Sequence, residues 1–292
     1  MNKVGQRSLA ALARPSGGLA MVAMDQRESL RAMLAEHHGS PVPDETMTRF
    51  KVAVAREVAP HASGFLIDRK FGFDTVVNDH LLPDDTGLIL AADSLTHPPE
   101  GGPALETSLD DTISPEAVRD RGVVALKLMI VWRPDDRRDK RLAMAEEFVQ
   151  RCARAGVVSI LEGVVRHAEH DFDKLLLDAA AELGTLRPTL YKTQVPRRGE
   201  GDPAGVATVC EHITATVPVP WVVVSQGVSI TEFPKAVRLA CQGGASGFLA
   251  GRAIWSDTLV DPVPLLRSRS LDRLHRLAEL VDRTARPWSE AA

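Results

Sequence analysis

Eight short apolar segments, separated by amphipathic stretches, set the strongest constraint on how this chain can fold. Most of them are nearly continuous apolar runs, as expected for parallel strands that are covered on both faces. The segments are residues 18–24, 64–70, 86–93, 123–132, 157–165, 189–196, 220–228 and 247–255. Between them lie helical patterns, among them residues 137–156, which end on a glycine suited to a helix C-terminus, residues 231–244 and residues 271–285.

Eight strand–helix units in 292 residues predict an α/β fold, a single (β/α)8 TIM barrel domain over residues 1–292 with an N-terminal extension at 1–16. A doubly wound open sheet is the alternative, and the count of eight units favours the barrel. The segment 94–113, rich in Pro, Gly, Asp and Thr, is the longest irregular stretch. It follows the third strand, where a barrel has its catalytic rim, so we expect a lid there.

The net charge of −4 gives no reason to expect nucleic acid or an anionic membrane as a partner. The three cysteines lack CxxC spacing, which argues against a zinc site or disulfide framework and suits a reducing compartment. No signal-peptide core or transmembrane run is visible, so a soluble, cytoplasmic protein is predicted. Four histidines lack metal-ligand spacing and are expected on the surface or in loops: His37, His38, His167 and His170.

Charged residues interrupt three of the apolar strands. Lys192 lies in "TLYKTQVP", Lys127 in "VALKLMIVW" and Glu162 in "SILEGVV". An unpaired charge in such a place costs several kcal/mol. One interpretation is a buried ion-pair cluster with a purely structural role. The other is amine catalysis, because desolvation and a nearby cation favour the neutral amine of a lysine, which can then attack a carbonyl. Lys192 would be that nucleophile, Lys127 the second cation and Glu162 the proton carrier.

The turns after the seventh and eighth strands fit a phosphorylated substrate. "SQGV" contains Ser225 and Gly227, and "LAGRAIW" contains Gly251 and Arg252. Barrels often bind phosphate with the loops at these two strand ends, through backbone N–H groups that glycines leave accessible. Arg252 would add a charge-assisted fork to the same site.

A third constellation, "AMDQRESL", follows the first strand. Asp25 is a candidate helix N-cap or, alternatively, a residue of the site. Arg27 is a cation in the first helical turn, where the helix dipole disfavours it, so we interpret Arg27, with Gln26, as a substrate contact.

Along nearly its whole length the chain resembles the class I, Schiff-base aldolases that include bacterial tagatose-1,6-bisphosphate aldolase and sulfofructosephosphate aldolase. The segments that carry the resemblance are "AMVAMDQRESLRAM", "ALKLMIVWRPD", "VSILEGVVR", "LYKTQVP", "VVSQGVSITEFPKAVR" and "GASGFLAGRAIW". The "MDQRE" and "GASGFLAGRA" segments and the short chain look more like the sulfofructosephosphate branch.

The resemblance implies a role for each matching residue. Lys192 matches the imine-forming lysine, Glu162 the acid/base group and Lys127 the neighbouring lysine. Asp25 matches the aspartate that orients the ketose hydroxyls. The positions matching the phosphate-binding turns are Ser225, Gly227, Gly251 and Arg252, and the candidates for the far anionic end are Gln26 and Arg27. The chain departs from the family's usual pattern at Gly163, Thr193, Gln194 and Gln226.

The implied reaction is cleavage of 6-deoxy-6-sulfofructose 1-phosphate to dihydroxyacetone phosphate and 3-sulfolactaldehyde, in sulfoglycolysis. Tagatose or fructose 1,6-bisphosphate is the alternative substrate. A metal-dependent aldolase and a non-catalytic sugar-phosphate-binding regulator are the rival functions. We expect no metal and no cofactor, a small phosphorylated ketose as the partner, and a homo-oligomer.

Overall fold

The computed structural model of the protein describes residues 8–98, 102–166 and 171–291. Ten strands occur in it, of which β4 and β5 form a separate hairpin. They are β1 (Leu19–Met24), β2 (Gly64–Ile67), β3 (Gly87–Ala91), β4 (Asp93–Thr96), β5 (Glu106–Leu109), β6 (Val123–Trp132), β7 (Val158–Val165), β8 (Leu190–Gln194), β9 (Trp221–Val224) and β10 (Gly247–Ala250).

The eight other strands close into a barrel in the order β1-β10-β9-β8-β7-β6-β3-β2, and every neighbouring pair is parallel. β1 pairs with both β2 and β10, so the sheet has no free edge. The predicted (β/α)8 barrel is therefore confirmed, and the open sheet is excluded.

Helices cover the outside of the barrel. They are α1 (Glu28–His38), α2 (Asp44–Glu57), α3 (Asp74–Asn78), α4 (Pro115–Arg119), α5 (Arg138–Ala155), α6 (Phe172–Thr185), α7 (Pro203–Thr216), α8 (Phe233–Gln242), α9 (Arg252–Trp255), α10 (Pro262–Leu265) and α11 (Leu271–Thr284). Gly156 caps α5 in the left-handed conformation at φ 68°, as predicted. In the described residues no helix is long and apolar enough to cross a membrane.

Alternation along the strands sorts their side chains into two layers. One set of apolar residues fills the barrel interior, including Met21, Ile89, Ala125, Ile160 and Leu190. The intervening residues pack against the helices in a larger core. Two residues further along each of β6, β7 and β8, the next inward-facing side chain is charged. Because side chains alternate between the two faces of a strand, these charges point into the barrel mouth.

Several predicted strands end earlier than expected. The eighth was predicted over 247–255, but β10 ends at Ala250, and Arg252–Trp255 form α9. The apolar run continues because Ile254 and Trp255 are buried helical residues, and short apolar runs do not distinguish helix from strand. The second was predicted over 64–70, but the chain turns helical at Arg69–Phe73.

The segment 94–113 is more ordered than predicted, because β4 and β5 pair in antiparallel register from Asp93↔Leu109 to Thr96↔Glu106. Its polar composition concealed the strands. The hairpin lies beside the barrel mouth, and His97 Nδ1 is 2.8 Å from the carbonyl oxygen of Gly102 at its tip. A lid role remains a prediction.

The N-terminal segment closes the base of the barrel. A helical turn at Leu9–Leu12 buries both leucines against the barrel interior. Glycines at the start of two strands make room for it: a Cβ on Gly64 would lie 2.9 Å, and one on Gly87 2.5 Å, from Cδ2 of Leu12. Residues 1–7 of the predicted extension lie outside the described residues.

Candidate active site

The charged residues of β6, β7 and β8 meet inside the barrel mouth. Lys127 is 2%, Glu162 4% and Lys192 2% exposed. Glu162 and Lys192 are direct neighbours in the register of β7 and β8, and Oε2 of Glu162 lies 3.1 Å from Nζ of Lys192. The three residues that the sequence predicts as a catalytic group therefore form one cluster.

Lys127 is surrounded by three carboxylates. Its Nζ lies 2.6 Å from Oδ2 of Asp25, 2.7 Å from Oδ2 of Asp93 and 3.6 Å from Oε2 of Glu162. Burial acts to lower the pKa of Lys127, but the three negative charges outweigh burial and raise it well above the usual range of a lysine. The three carboxylates therefore favour the charged form of Lys127 next to Glu162, as expected of the second cation that the sequence predicts.

Asp25 belongs to this cluster and does not cap a helix. α1 begins at Glu28, and Arg27 occupies the capping position without a side-chain cap. Burial acts to raise the pKa of Asp25, but the charges of Lys127, Lys192 and Arg27 and a hydrogen bond from Lys127 outweigh it and hold that pKa well below the usual range. The predicted alternative of an N-cap is wrong, because β1 ends at Met24 and α1 begins only at Glu28, which leaves Arg27 and not Asp25 at the capping position.

Arg27 is engaged by Asp93 at the base of the hairpin. Its Nη2 lies 2.6 Å from Oδ1 of Asp93, and its Nη1 donates to the backbone oxygen of Asp93 at 2.8 Å. Asp93 also accepts a hydrogen bond from the Met129 amide at 3.2 Å. The positive charge of Arg27 is thus compensated within the protein.

The two predicted phosphate turns lie side by side, after β9 and β10. Ser225 is 4% exposed, and its Oγ accepts a hydrogen bond from the Ala253 amide at 3.4 Å. Gly227 has φ 83° and turns the chain after Ser225, but it does not line the cavity described below. Position 227 requires glycine because this φ lies in the left-handed region. Arg252 opens α9 at the rim of the mouth, and partial burial lowers its pKa.

Gln26 lies beside the second of these turns. A Cβ on Gly251 would lie 2.7 Å from Nε2 of Gln26 and 2.5 Å from the backbone oxygen of Ala23. Because residue 251 is glycine and has no Cβ, the end of β1 and the Gln26 amide can approach its backbone closely. This place is next to the predicted phosphate turns, whereas the resemblance implies that Gln26 contacts the opposite end of the substrate.

A cavity of about 390 Å³ at the barrel mouth joins these residues. The catalytic candidates, Asp25, Gln26, Arg27, Ser225, Gly251 and Arg252 all line it. Its remaining lining comes from α1, the hairpin and neighbouring strand ends: Glu28, Ser29, Ala32, Leu95, His97, Gly102, Pro103, Ala104, Met129, Arg166, Val224 and Gln226.

Sequence reasoning missed three residues of this lining or its support. Asp93 binds both Lys127 and Arg27, but the sequence did not assign it to the site. His97 and Arg166 were not considered. The signal for Arg166 was available, because it follows Glu162 by four residues and an even spacing in a strand places both on one face.

Three departures from the family pattern have local explanations. Gly163 faces the helices, where a Cβ would lie 2.5 Å from the Tyr191 hydroxyl oxygen. Thr193 is fully buried on the same outer face, away from the cavity. Gln194 is buried, and its Oε1 accepts a hydrogen bond from the Val165 amide at 2.7 Å, which ties β8 to the end of β7. The fourth departure, Gln226, lines the cavity.

Histidines play little part in the described site. His37 and His38 end α1 and are exposed, as predicted, whereas His167 and His170 lie outside the described residues. Within residues 8–98, 102–166 and 171–291, no group of three or more His, Cys, Asp or Glu side chains is arranged to hold a metal ion.

A closed eight-stranded barrel with this amine and carboxylate centre at the carboxyl ends of its strands defines a class I, Schiff-base aldolase, a lyase. The chain belongs to the DeoC/LacD family of aldolases, whose family model matches residues 19–257. Among the curated relatives, tagatose 1,6-diphosphate aldolase 2 of Streptococcus pyogenes serotype M3 is 24% identical, over 94% of each chain. Tagatose 1,6-diphosphate aldolase of Listeria monocytogenes serotype 4a is also 24% identical, over 96% of this chain and 92% of the relative.

Solved structures share the fold at lower identity. Fructose-bisphosphate aldolase from Plasmodium falciparum superposes with a TM-score of 0.70 at 13% identity, over 95% of this chain and 93% of that chain. A Schiff-base-forming fructose-1,6-bisphosphate aldolase superposes with a TM-score of 0.64 at 16% identity, over 94% and 98% of the two chains. At this identity the likeness establishes the TIM-barrel fold.

Proposed function

We propose that the protein cleaves a ketose 1-phosphate through an imine on Lys192. The observation that carries this proposal is the unequal environment of the two buried lysines. Lys127 has three carboxylates around it and keeps its proton, whereas Glu162 is the one carboxylate within 4 Å of Lys192 among the described residues. The amine with fewer partners is the one that can attack a carbonyl, with Glu162 beside it to move protons.

In the proposed reaction, Nζ of Lys192 attacks the C2 ketone, and loss of water gives an iminium. A base, Glu162 or Asp25, removes the proton of the C4 hydroxyl. The C3–C4 bond then breaks, its electron pair passes to the iminium as an enamine, and the aldehyde leaves. Protonation at C3 and hydrolysis release dihydroxyacetone phosphate and restore the amine. Lys127 holds Asp25 in place, and Asp25 orients the substrate hydroxyls.

For the substrate, we propose 6-deoxy-6-sulfofructose 1-phosphate, with 3-sulfolactaldehyde as the second product. A sulfonate carries one negative charge, whereas a phosphate monoester approaches two near neutral pH. The charge of Arg27 is compensated by Asp93, and Leu95, Pro103 and Ala104 of the hairpin region add apolar lining. This side of the cavity thus offers little excess positive charge, which suits the singly charged group.

Tagatose or fructose 1,6-bisphosphate is the second candidate, and it is favoured by the relatives that are named for these substrates. The test is turnover of all three sugars by the purified protein, followed by triose phosphate release. A higher kcat/KM for the sulfosugar supports the first assignment. A preference for either bisphosphate contradicts it and leaves the aldolase chemistry standing. No cleavage of any of the three contradicts the ketose 1-phosphate proposal.

A further inference from the structure

Arg166 lies one residue beyond the end of β7, the strand that carries Glu162. Ile160, Glu162 and Val164 face the interior of the barrel or its mouth, and Arg166 continues this row at the next even position. Arg166 also lines the cavity at the mouth. Its side chain therefore reaches the same space as Lys192 and Arg252.

The guanidinium of Arg166 differs from those of Arg27 and Arg133. Its Nε and Nη1 are buried and have no hydrogen-bond partner in the part of the chain that the structure describes. By contrast, Arg27 is bound by Asp93, and Nη1 of Arg133 lies 3.7 Å from Oε1 of Glu106. Buried N–H donors without an acceptor are costly, so their presence on a residue that lines a cavity indicates a ligand that supplies acceptors.

The charges around Arg166 point to an anion. Burial lowers the pKa of Arg166, Glu162 opposes this, and the positive charges of Arg133 and Arg252 lower it further. Arg252 in turn has no carboxylate within 4 Å among the described residues. Glu162 is already shared by Lys127 and Lys192. Two arginines that repel each other across one cavity become favourable neighbours when an anion lies between them.

We propose that Arg166 is a further substrate-binding residue, which together with Arg252 holds the 1-phosphate of the substrate. This inference rests on the proposed function for the identity of the substrate. Two guanidinium forks match the three oxygens and the nearly double charge of a phosphate monoester better than a singly charged sulfonate. Ser225 and the Gly251 turn would complete this phosphate site, whereas Arg27 is already compensated by Asp93.

The first experiment needs no turnover. Thermal unfolding of the wild type, Arg166→Gln and Arg276→Gln is measured without and with inorganic phosphate and dihydroxyacetone phosphate. We expect Arg166→Gln to unfold at the wild-type temperature or above without ligand, because a repelled cation is gone, and to lose most of the ligand-induced rise. Arg276→Gln, a control on α11 outside the cavity, should keep that rise. A lower unfolding temperature with a full ligand-induced rise in Arg166→Gln would overturn the proposal.

The second experiment locates the contact along the substrate. With fructose 1,6-bisphosphate and fructose 1-phosphate, Arg166→Gln should raise KM for both by a similar factor of about 10 to 100, the range expected for hydrogen bonds to a charged group. Arg166→Lys keeps the charge but not the two-pronged guanidinium, so its KM should lie between those of the wild type and Arg166→Gln. A loss confined to the bisphosphate would overturn the proposal, because it would place Arg166 at the other end.

The two proposals fail separately. If the wild type cleaves no ketose phosphate but Arg166→Gln still loses the stabilisation by phosphate, the proposed function is wrong and the phosphate site stands. If the wild type cleaves the sugars and Arg166→Gln matches it in KM and in phosphate stabilisation, the Arg166 assignment is wrong and the aldolase stands.

Discussion

Oε2 of Glu162 lies 3.1 Å from Nζ of Lys192, and the same oxygen lies 3.6 Å from Nζ of Lys127. Two buried amines thus share one carboxylate oxygen, but they do not share it equally. Asp25 and Asp93 approach Lys127 more closely than Glu162 does. Glu162 therefore has Lys192 as its nearest cation, at the distance from which a proton can be exchanged.

Borohydride added with dihydroxyacetone phosphate should fix the imine as a stable secondary amine. We expect the adduct on Lys192, because Lys127 is held as a cation by its carboxylates. Peptide mapping by mass spectrometry identifies the modified residue. Lys192→Met should give no adduct and lower kcat by at least about 10³-fold.

The same preparations test the rival metal-dependent aldolase. EDTA should leave turnover unchanged, since the proposed electron sink is the iminium and not a metal ion. An adduct on Lys127 would reverse the roles of the two lysines. Inactivation by EDTA that zinc or another divalent ion restores would favour the metal-dependent mechanism.

Replacement of Glu162 by glutamine should separate binding from proton transfer. The amide keeps the size of the side chain but cannot exchange protons with Lys192, so we expect kcat to fall by about 10²- to 10⁴-fold. KM for a cleaved ketose phosphate should change much less. The check is steady-state kinetics, with Glu182→Gln as a control because that glutamate contacts Trp132 and Arg138 outside the cavity. A variant with unchanged kcat would remove Glu162 from the chemistry.

Asp25 should make stability depend on pH in the acid range. Its folded-state pKa is held below the unfolded value of about 3.9, so its ionised form stabilises the fold above that pH and the contribution is lost as the pH falls. We expect Asp25→Asn to reduce the free energy of unfolding by about 1.5–3 kcal/mol at neutral pH. In urea titrations the deficit should shrink below about pH 4.

A matched control for that series is Asp139→Asn, because the Asp139 side chain is 92% exposed. Asp139→Asn should change the free energy of unfolding only slightly at every pH. A deficit in Asp25→Asn that stays constant or grows on acidification would show that the carboxylate is not stabilised by its neighbours.

Gly163→Ala tests why this chain has glycine next to Glu162. The added Cβ would lie 2.5 Å from the Tyr191 hydroxyl oxygen and 3.1 Å from Cδ1 of Leu183. We expect overpacking to lower the free energy of unfolding, measured by chemical denaturation, by about 1–3 kcal/mol. The double variant Gly163→Ala/Tyr191→Phe should recover part of this loss, because the closest atom is gone. An equal loss in the single and double variants would exclude the hydroxyl as the cause.

Glu28→Gln tests the negative charge that the start of α1 contributes to the lining of the cavity. Glu28 lines the cavity and is exposed. Removing its negative charge should raise kcat/KM for fructose 1,6-bisphosphate by about two- to fivefold, and by less for the sulfosugar phosphate, which carries less charge there. The difference between the gains in kcat/KM for the two substrates should decline with added salt. Glu36→Gln, further along the same helix, should not change the ratio of the two values, and an equal gain for both substrates would contradict the prediction.

The apolar strand pattern predicted the barrel, and the charged residues within it predicted the catalytic cluster. The two-residue period of a strand fixes which side chains face inward, so Lys127, Glu162 and Lys192 meet at the mouth of the confirmed barrel, and their catalytic role stays a prediction. Strand ends were less predictable. Ile254 and Trp255 are as apolar in α9 as they would be in a strand.

The rest of the site depends on contacts that no local pattern encodes. Asp93 binds Lys127 and Arg27, which come from β6 and the end of β1, and only the closed barrel brings these three together. The hairpin of β4 and β5 was not predicted, because its polar sequence lacks the apolar pattern of the other strands. The resemblance implied the far anionic end of the substrate for Gln26, whereas its amide lies beside the Gly251 turn.

The helical turn at Leu9–Leu12 closes the barrel at the end opposite the cavity. Substrate and both products must therefore use the same opening. Lys192 lies deep in that opening at 2% exposure, so in the condensation direction the ketone donor has to be loaded before the aldehyde, which would otherwise block the way to the amine. The order of addition is thus a property of the architecture, and it would persist whichever aldehyde the enzyme accepts.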